Sequence, residues 1–206
     1  LFQDRHPEWS TVALWTTAIL TSIAFFLSIL AHELSHSIVA LRHGIPVKGI
    51  TLFIFGGISH ISREAPTPKA ELLITIVGPL CSFGLGTALI SLALIINDLD
   101  PYLRTSALWI GGCNLSLGIF NMLPGFPLDG GRVLRSAMWW LTGNYWRATH
   151  IATRAGQLTA LLIVISGIVF FINGAGMGIW TSLIGAYLFM ASSSCHKQFL
   201  FQKRLD

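Results

Sequence analysis

Charge is what this chain has least of. Only 11% of its 206 residues are Asp, Glu, Lys or Arg, against 53% hydrophobic, and the mean hydropathy is +0.67. A soluble domain carries about a quarter charged residues, so an ordinary water-soluble globule is excluded and a bilayer is implied. The basic excess, net +4 with a pI near 9.3, does not indicate nucleic acid. Its side chains are scattered at the ends of apolar runs, as topology signals are, rather than gathered on one face. Cysteine is sparse too. Cys81, Cys113 and Cys195 are odd in number, far apart and set in apolar stretches, which excludes a disulfide framework or a cysteine zinc cluster. No internal repeat, soluble second domain or signal peptide with a cleavage site is legible.

What is there instead is a series of long uncharged runs: Thr11 to Ala31, Leu72 to Ile96, Thr105 to Leu128, and Ala155 to Cys195. About 20 helical residues cross a hydrocarbon core of about 30 Å. The last run, interrupted by Asn173-Gly-Ala-Gly-Met-Gly178, has room for two spans and a tight turn. The expected fold is an all-α polytopic membrane protein of about five transmembrane helices with a small membrane-associated β-hairpin. With the N-terminus outside, five crossings put Arg42, Lys48, Arg63, Lys69, Arg132, Arg135, Arg147, Arg154, Lys197, Lys203 and Arg204 inside. Only Arg5 and Arg104 remain outside, as the positive-inside rule requires.

The first run continues through His32-Glu33-Leu34-Ser35-His36 to Leu41, where Arg42-His43-Gly44 closes the helix. Two histidines four residues apart share one helical face, the spacing at which two imidazoles reach one tetrahedral zinc. Glu33 stands beside the first, placed for general-base work on water. Such a pattern arises by chance, and helix histidines are often hydrogen-bonded core residues. Ionisable groups in a spanning helix, however, cost about 2.5–3.5 kcal/mol each, and three in five residues call for an offsetting interaction such as metal coordination. The basic flank places the site toward the cytoplasmic side.

Val47 to Ser62 reads as two short β-rich runs about Gly56-Gly57. Such a pair is either a plain connecting hairpin or a strand edge able to hold an extended peptide by main-chain hydrogen bonds. His60 reads as a hydrogen-bonded histidine rather than a ligand. Arg63 to Glu71 reads as a polar surface turn. In the next run, Gly78-Pro79 suggests a kink, and Gly84 and Gly86 suggest close approach of a neighbour. Asn114 suggests a helix–helix hydrogen bond. Pro124, Gly125, Pro127, Gly130 and Gly131 forbid a continuous helix from Asn121 onward, and broken backbone at membrane depth belongs where it is buried or faces a cavity. Arg132 to Trp140 then reads as a helix at the cytoplasmic surface.

Catalytic zinc usually takes three protein ligands. Six residues after His36 stands Arg42, and His43 is one position too far. Glu64 and Glu71 are candidates, but both lie in the charged turn. Asp129 is favoured, as the one acid in a long uncharged stretch with glycines beside it.

His32-Glu33-Leu34-Ser35-His36, followed by Asn121-Met-Leu-Pro-Gly-Phe-Pro-Leu-Asp129-Gly130, resembles the site-2 protease family of intramembrane zinc metalloproteases, over roughly Ala13 to Trp140. The resemblance implies one zinc per chain held by His32, His36 and Asp129, with Glu33 as general base. It implies that Asn121 binds substrate or stabilises the oxyanion, the bland alternative being a polar cap on a broken helix. Gly56 and Gly57 match the hairpin implicated in holding substrate. The implied organisation is a single transmembrane protease domain over 1–206, with a catalytic core at about 13–140 and a C-terminal helix pair at about 155–195. The implied substrate is a single-pass membrane-anchored regulator, cut within or near its span, in a bacterial inner membrane or an organelle membrane, with no nucleic acid involved. Family members commonly have a further span before the zinc helix and a regulatory domain. With Leu at position 1, the expectation is a piece of a longer protein, six spans if the missing one is counted. A zinc-binding membrane transporter or a catalytically inactive relative is the alternative. Transport gives Glu33 no special role and calls for a polar path that Ala155 to Cys195 does not offer.

Overall fold

The computed structural model describes residues 9–53, 56–61, 64–96 and 100–202, with backbone alone at 50–53, 56–61, 196 and 198–202. Its elements are α1 (Thr11–Arg42), β1 (Val47–Phe53), β2 (Gly56–Ile61), α2 (Pro68–Ile95), α3 (Pro101–Asn121), α4 (Asp129–Thr142), α5 (Tyr145–Ile172) and α6 (Met177–Gln202). Three of these, α1, α2 and α5, are long and apolar enough to cross a membrane. The contact pattern divides the chain into two units: 1–62 with 77–119, and 63–76 with 120–206.

In the first unit, α1 starts at Ser10, whose Oγ accepts from the Ala13 N–H at 3.3 Å, a normal N-cap. It stops at His43, before Gly44 turns the chain at φ +73°. The helix is inside out by soluble standards. It buries Thr17, Thr21, Ser28, His32, Glu33, His36 and Ser37, and exposes Trp15, Leu20, Phe26, Leu27 and Ile38. An apolar exterior costs nothing against lipid, while buried polar groups need partners. They find them. Thr21 Oγ1 lies 2.7 Å from Ser106 Oγ, and Asn114 Nδ2 donates to Ser28 Oγ at 2.9 Å, so Asn114 does tie α3 to α1. Phe25 meets Trp109 edge-on at 5.7 Å between centroids.

Both strands lie against α1. They pair antiparallel with Leu52 opposite Gly57 and Phe53 opposite Gly56. The glycine pair therefore opens β2 rather than forming the turn between the runs; the connection falls outside the described residues. Gly86 does allow close approach: a Cβ there would stand 2.9 Å from the Gly111 carbonyl oxygen. At Gly84 nothing among the described residues lies within 4 Å of the Cβ position.

In the second unit, α4, α5 and α6 pack in sequence order. The α5–α6 contact is made close by glycines: a Cβ on Gly178 would come within 2.4 Å of the Gly167 carbonyl oxygen. Ser192 Oγ donates to the Thr153 carbonyl at 3.0 Å.

The turn expected over Arg63 to Glu71 is corrected here. Helix α2 already begins at Pro68, and Glu71 in its first turn is wholly buried. It takes the Arg135 guanidinium: Nε donates to Glu71 Oε1 at 2.7 Å, and Nη2 donates to the same oxygen. Arg135 Nη1 donates to the Tyr145 hydroxyl at 2.7 Å, its Nη2 lies 3.1 Å from Glu64 Oε2, and the guanidinium stacks over Phe126 and Tyr145. Burial works against the Arg135 charge, but Glu71 and Glu64 outweigh it and hold its pKa above the ordinary arginine value. A sequence count treats Arg135 as a topology signal, whereas here it is a buried tie between α2 and α4. Removing one partner of such a pair costs about 3–5 kcal/mol, because the other charge stays buried. Glu71→Ala is therefore expected to lower the melting temperature in detergent far more than Glu64→Ala, whose carboxylate is exposed. Equal small shifts would contradict the pairing.

Candidate metal centre

On α1 the two histidines meet as their spacing predicts. His32 Nε2 and His36 Nε2 stand 3.2 Å apart, and the two residues are 3% and 4% exposed. Two nitrogens bound at about 2.0–2.1 Å to a tetrahedral zinc would stand about 3.3–3.4 Å from each other. The pair fits such an ion with almost no adjustment.

The fit does not come from α1 alone. His32 Nδ1 lies 2.9 Å from Ser82 Oγ, and Ser82 is fully buried on α2. One turn earlier, Gly78 lets the α2 backbone reach the rings. A Cβ at 78 would fall 2.1 Å from His36 Nε2 and 2.7 Å from His32 Nε2, closer than any side chain tolerates. Pro79 lies inside α2, and Gly78 beside it permits the contact with the imidazoles. The sequence signal for Ser82 is a hydroxyl one turn beyond that glycine in an apolar run.

Glu33 is buried, 8% exposed, on the same helix. Its main-chain carbonyl accepts from Ser37 Oγ at 3.0 Å.

Asp129 is the first residue of α4 and half-buried, where the helix dipole favours an anion. The broken segment before it is pinned. Thr159 Oγ1 donates to the Pro124 carbonyl at 2.8 Å, and Gly125, at φ +138°, lies so near α5 that a Cβ would sit 2.1 Å from Gly156 Cα. The glycines after Asp129 do what the sequence suggested. Cβ atoms there would come 2.3 Å from the Leu123 carbonyl oxygen at Gly130 and 2.2 Å from the Gly125 carbonyl carbon at Gly131. Asn121 closes α3 and is half-buried. Gly56 and Gly57 lie in β2; His60 does too, its side chain outside the described residues. Glu71 is committed to Arg135, and Glu64 is exposed.

Known proteins bear on this arrangement. A model of peptidase family M50 matches residues 20–99 and 99–165. The chain is 38% identical over 187 residues to Rip3 of Mycobacterium tuberculosis, covering 89% of this chain and 48% of that protein. It is 38% identical over 151 residues to the zinc metalloprotease MJ0392 of Methanocaldococcus jannaschii, covering 71% and 42% respectively. The chain thus spans about half the length of the curated relatives it matches. Among solved structures, the site-2 protease from Methanocaldococcus jannaschii superposes with a TM-score of 0.64 at 30% identity, over 89% of this chain and 85% of that one. The chain belongs to peptidase family M50, the site-2 protease family of zinc metalloproteases.

Proposed function

We propose that this chain is the catalytic part of an intramembrane zinc metalloprotease that hydrolyses a peptide bond within or near the span of a membrane-anchored regulatory protein. The observation that carries the reading is the His32–His36 pair, buried in an apolar helix with its Nε2 atoms at the separation a tetrahedral ion imposes. Asp129 is the third ligand. It is a carboxylate at a helix start, followed by Gly130 and Gly131, which admit the backbone of the preceding loop. The whole chain acts as one transmembrane protease domain with about five spans, counting α3 and α6 in addition to α1, α2 and α5, and with the centre toward the cytoplasmic face. The membrane is a bacterial inner membrane or an organelle membrane.

Zinc, when bound, supplies Lewis acidity that polarises the scissile carbonyl and brings the pKa of water toward about 7. The chain's own groups do the rest. Glu33 accepts a proton from the attacking water and returns it to the leaving amine. The Asn121 side-chain amide donates to the oxygen that becomes negative as the carbonyl turns tetrahedral. A helical substrate hides its carbonyls in i→i−4 bonds, so it must open locally. A two-stranded sheet has an outer edge on each strand, and β2, entered through Gly56 and Gly57, can hold the opened segment extended.

The reading is tested with the protein in liposomes and a single-span substrate. Cleavage is expected to stop on treatment with a zinc chelator and to return on adding zinc. Cleavage that ignores the chelator would exclude a metalloprotease.

A further inference from the structure

The proposed function uses groups on α1 and α4. It leaves unused the face of α2 that meets the histidines. Gly78 and Ser82 are one turn apart, so they share that face, and each makes one contact with the pair: the missing side chain at 78 beside both Nε2 atoms, and the 82 hydroxyl at His32 Nδ1.

We propose that α2 is the positioning half of the metal centre: Ser82 accepts the His32 Nδ1–H and fixes Nε2 as the ligand atom, while Gly78 keeps both rings at the separation the ion needs. The inference rests on the metalloprotease reading above. Its physical basis is tautomeric. A neutral imidazole carries one proton, and whichever nitrogen holds it cannot bind metal. Ser82 Oγ at 2.9 Å gives that proton a partner at Nδ1 and leaves the Nε2 lone pair beside His36 Nε2. Such outer partners orient a ligating histidine and raise its basicity; losing one costs about 10–100-fold in metal affinity. Gly78 acts by shape. Any Cβ there would overlap both ring nitrogens, so alanine must push the rings off α2 and spoil their mutual distance.

Ser82 and Gly78 are positioning residues, since neither offers a ligand atom to the ion. The experiment measures zinc affinity of the full chain in detergent by chelator competition. It is paired with the ¹⁵N shifts of the histidine side chains, which report which His32 nitrogen is metallated. Ser82→Ala is expected to weaken zinc about 10–100-fold and to lose the uniform Nε2 ligation of His32. The metal-free protein should melt within a few degrees of wild type. Ser82→Thr, which restores a hydroxyl, should recover both readouts. Gly78→Ala should weaken zinc more than Ser82→Ala. Wild-type affinity and unchanged His32 ligation in Ser82→Ala would overturn the proposal, even if Gly78→Ala misfolds. Failure of the wild type itself to bind zinc would overturn the metalloprotease reading and this inference with it.

Discussion

Glu33→Gln is expected to bind zinc as the wild type does and to lose about 10²–10⁴-fold in cleavage rate, the usual contribution of a positioned general base. Glutamine keeps the length and planarity of the side chain and has no basic oxygen able to carry a proton from water to amine. The position makes the test clean. Glu33 is next to His32 in sequence but is not in the 32/36 register that faces the ion, so zinc content should not change. The readouts are cleavage of a single-span substrate and bound zinc per chain, measured on one preparation. Cleavage at the wild-type rate would remove Glu33 from the reaction. Parallel loss of zinc and activity would make it a ligand or a folding residue.

Asp129→Ala is expected to weaken zinc by more than about 100-fold, because even an outer partner of a ligand costs about 10–100-fold. Alanine alone would leave an objection, since an acid at a helix start also offsets the exposed N–H groups and the dipole. Asp129→Asn separates the two roles. Asparagine keeps the shape and polarity of the side chain but has no carboxylate, so a purely structural role at the helix start predicts that Asn retains zinc, and a ligand role predicts that both variants lose it. Chelator competition reads the affinity, and thermal melting of the metal-free variants reports whether α4 still holds. Zinc bound by Asp129→Asn at wild-type strength would exclude Asp129 as a ligand.

What could be read beforehand follows the range of the interactions. His32, Glu33 and His36 were legible because a helix brings i and i+4 together without help from the rest of the chain. Asn114 was legible as a tie between helices because an amide in an apolar run has few other uses. The cramped loop around Asp129 was announced by its own prolines and glycines. Contacts between elements were not legible. Glu71 and Arg135 look like surface charges in a linear reading, and only the folded chain shows one wholly buried and gripping the other. Gly78 resembles half of a kink until the imidazoles are seen against it. Gly56 and Gly57 look like a turn, yet the pairing sets them in β2 opposite Phe53 and Leu52. In each case composition named the kind of residue, and tertiary packing decided its use.

The most direct test of the central claim is X-ray absorption at the zinc edge of the purified, zinc-loaded chain. One zinc per chain is expected, with only nitrogen and oxygen neighbours near 2.0–2.1 Å and the outer scattering of two imidazoles. A sulfur shell near 2.3 Å, a single imidazole, or no stoichiometric zinc would contradict a centre built on His32, His36 and Asp129.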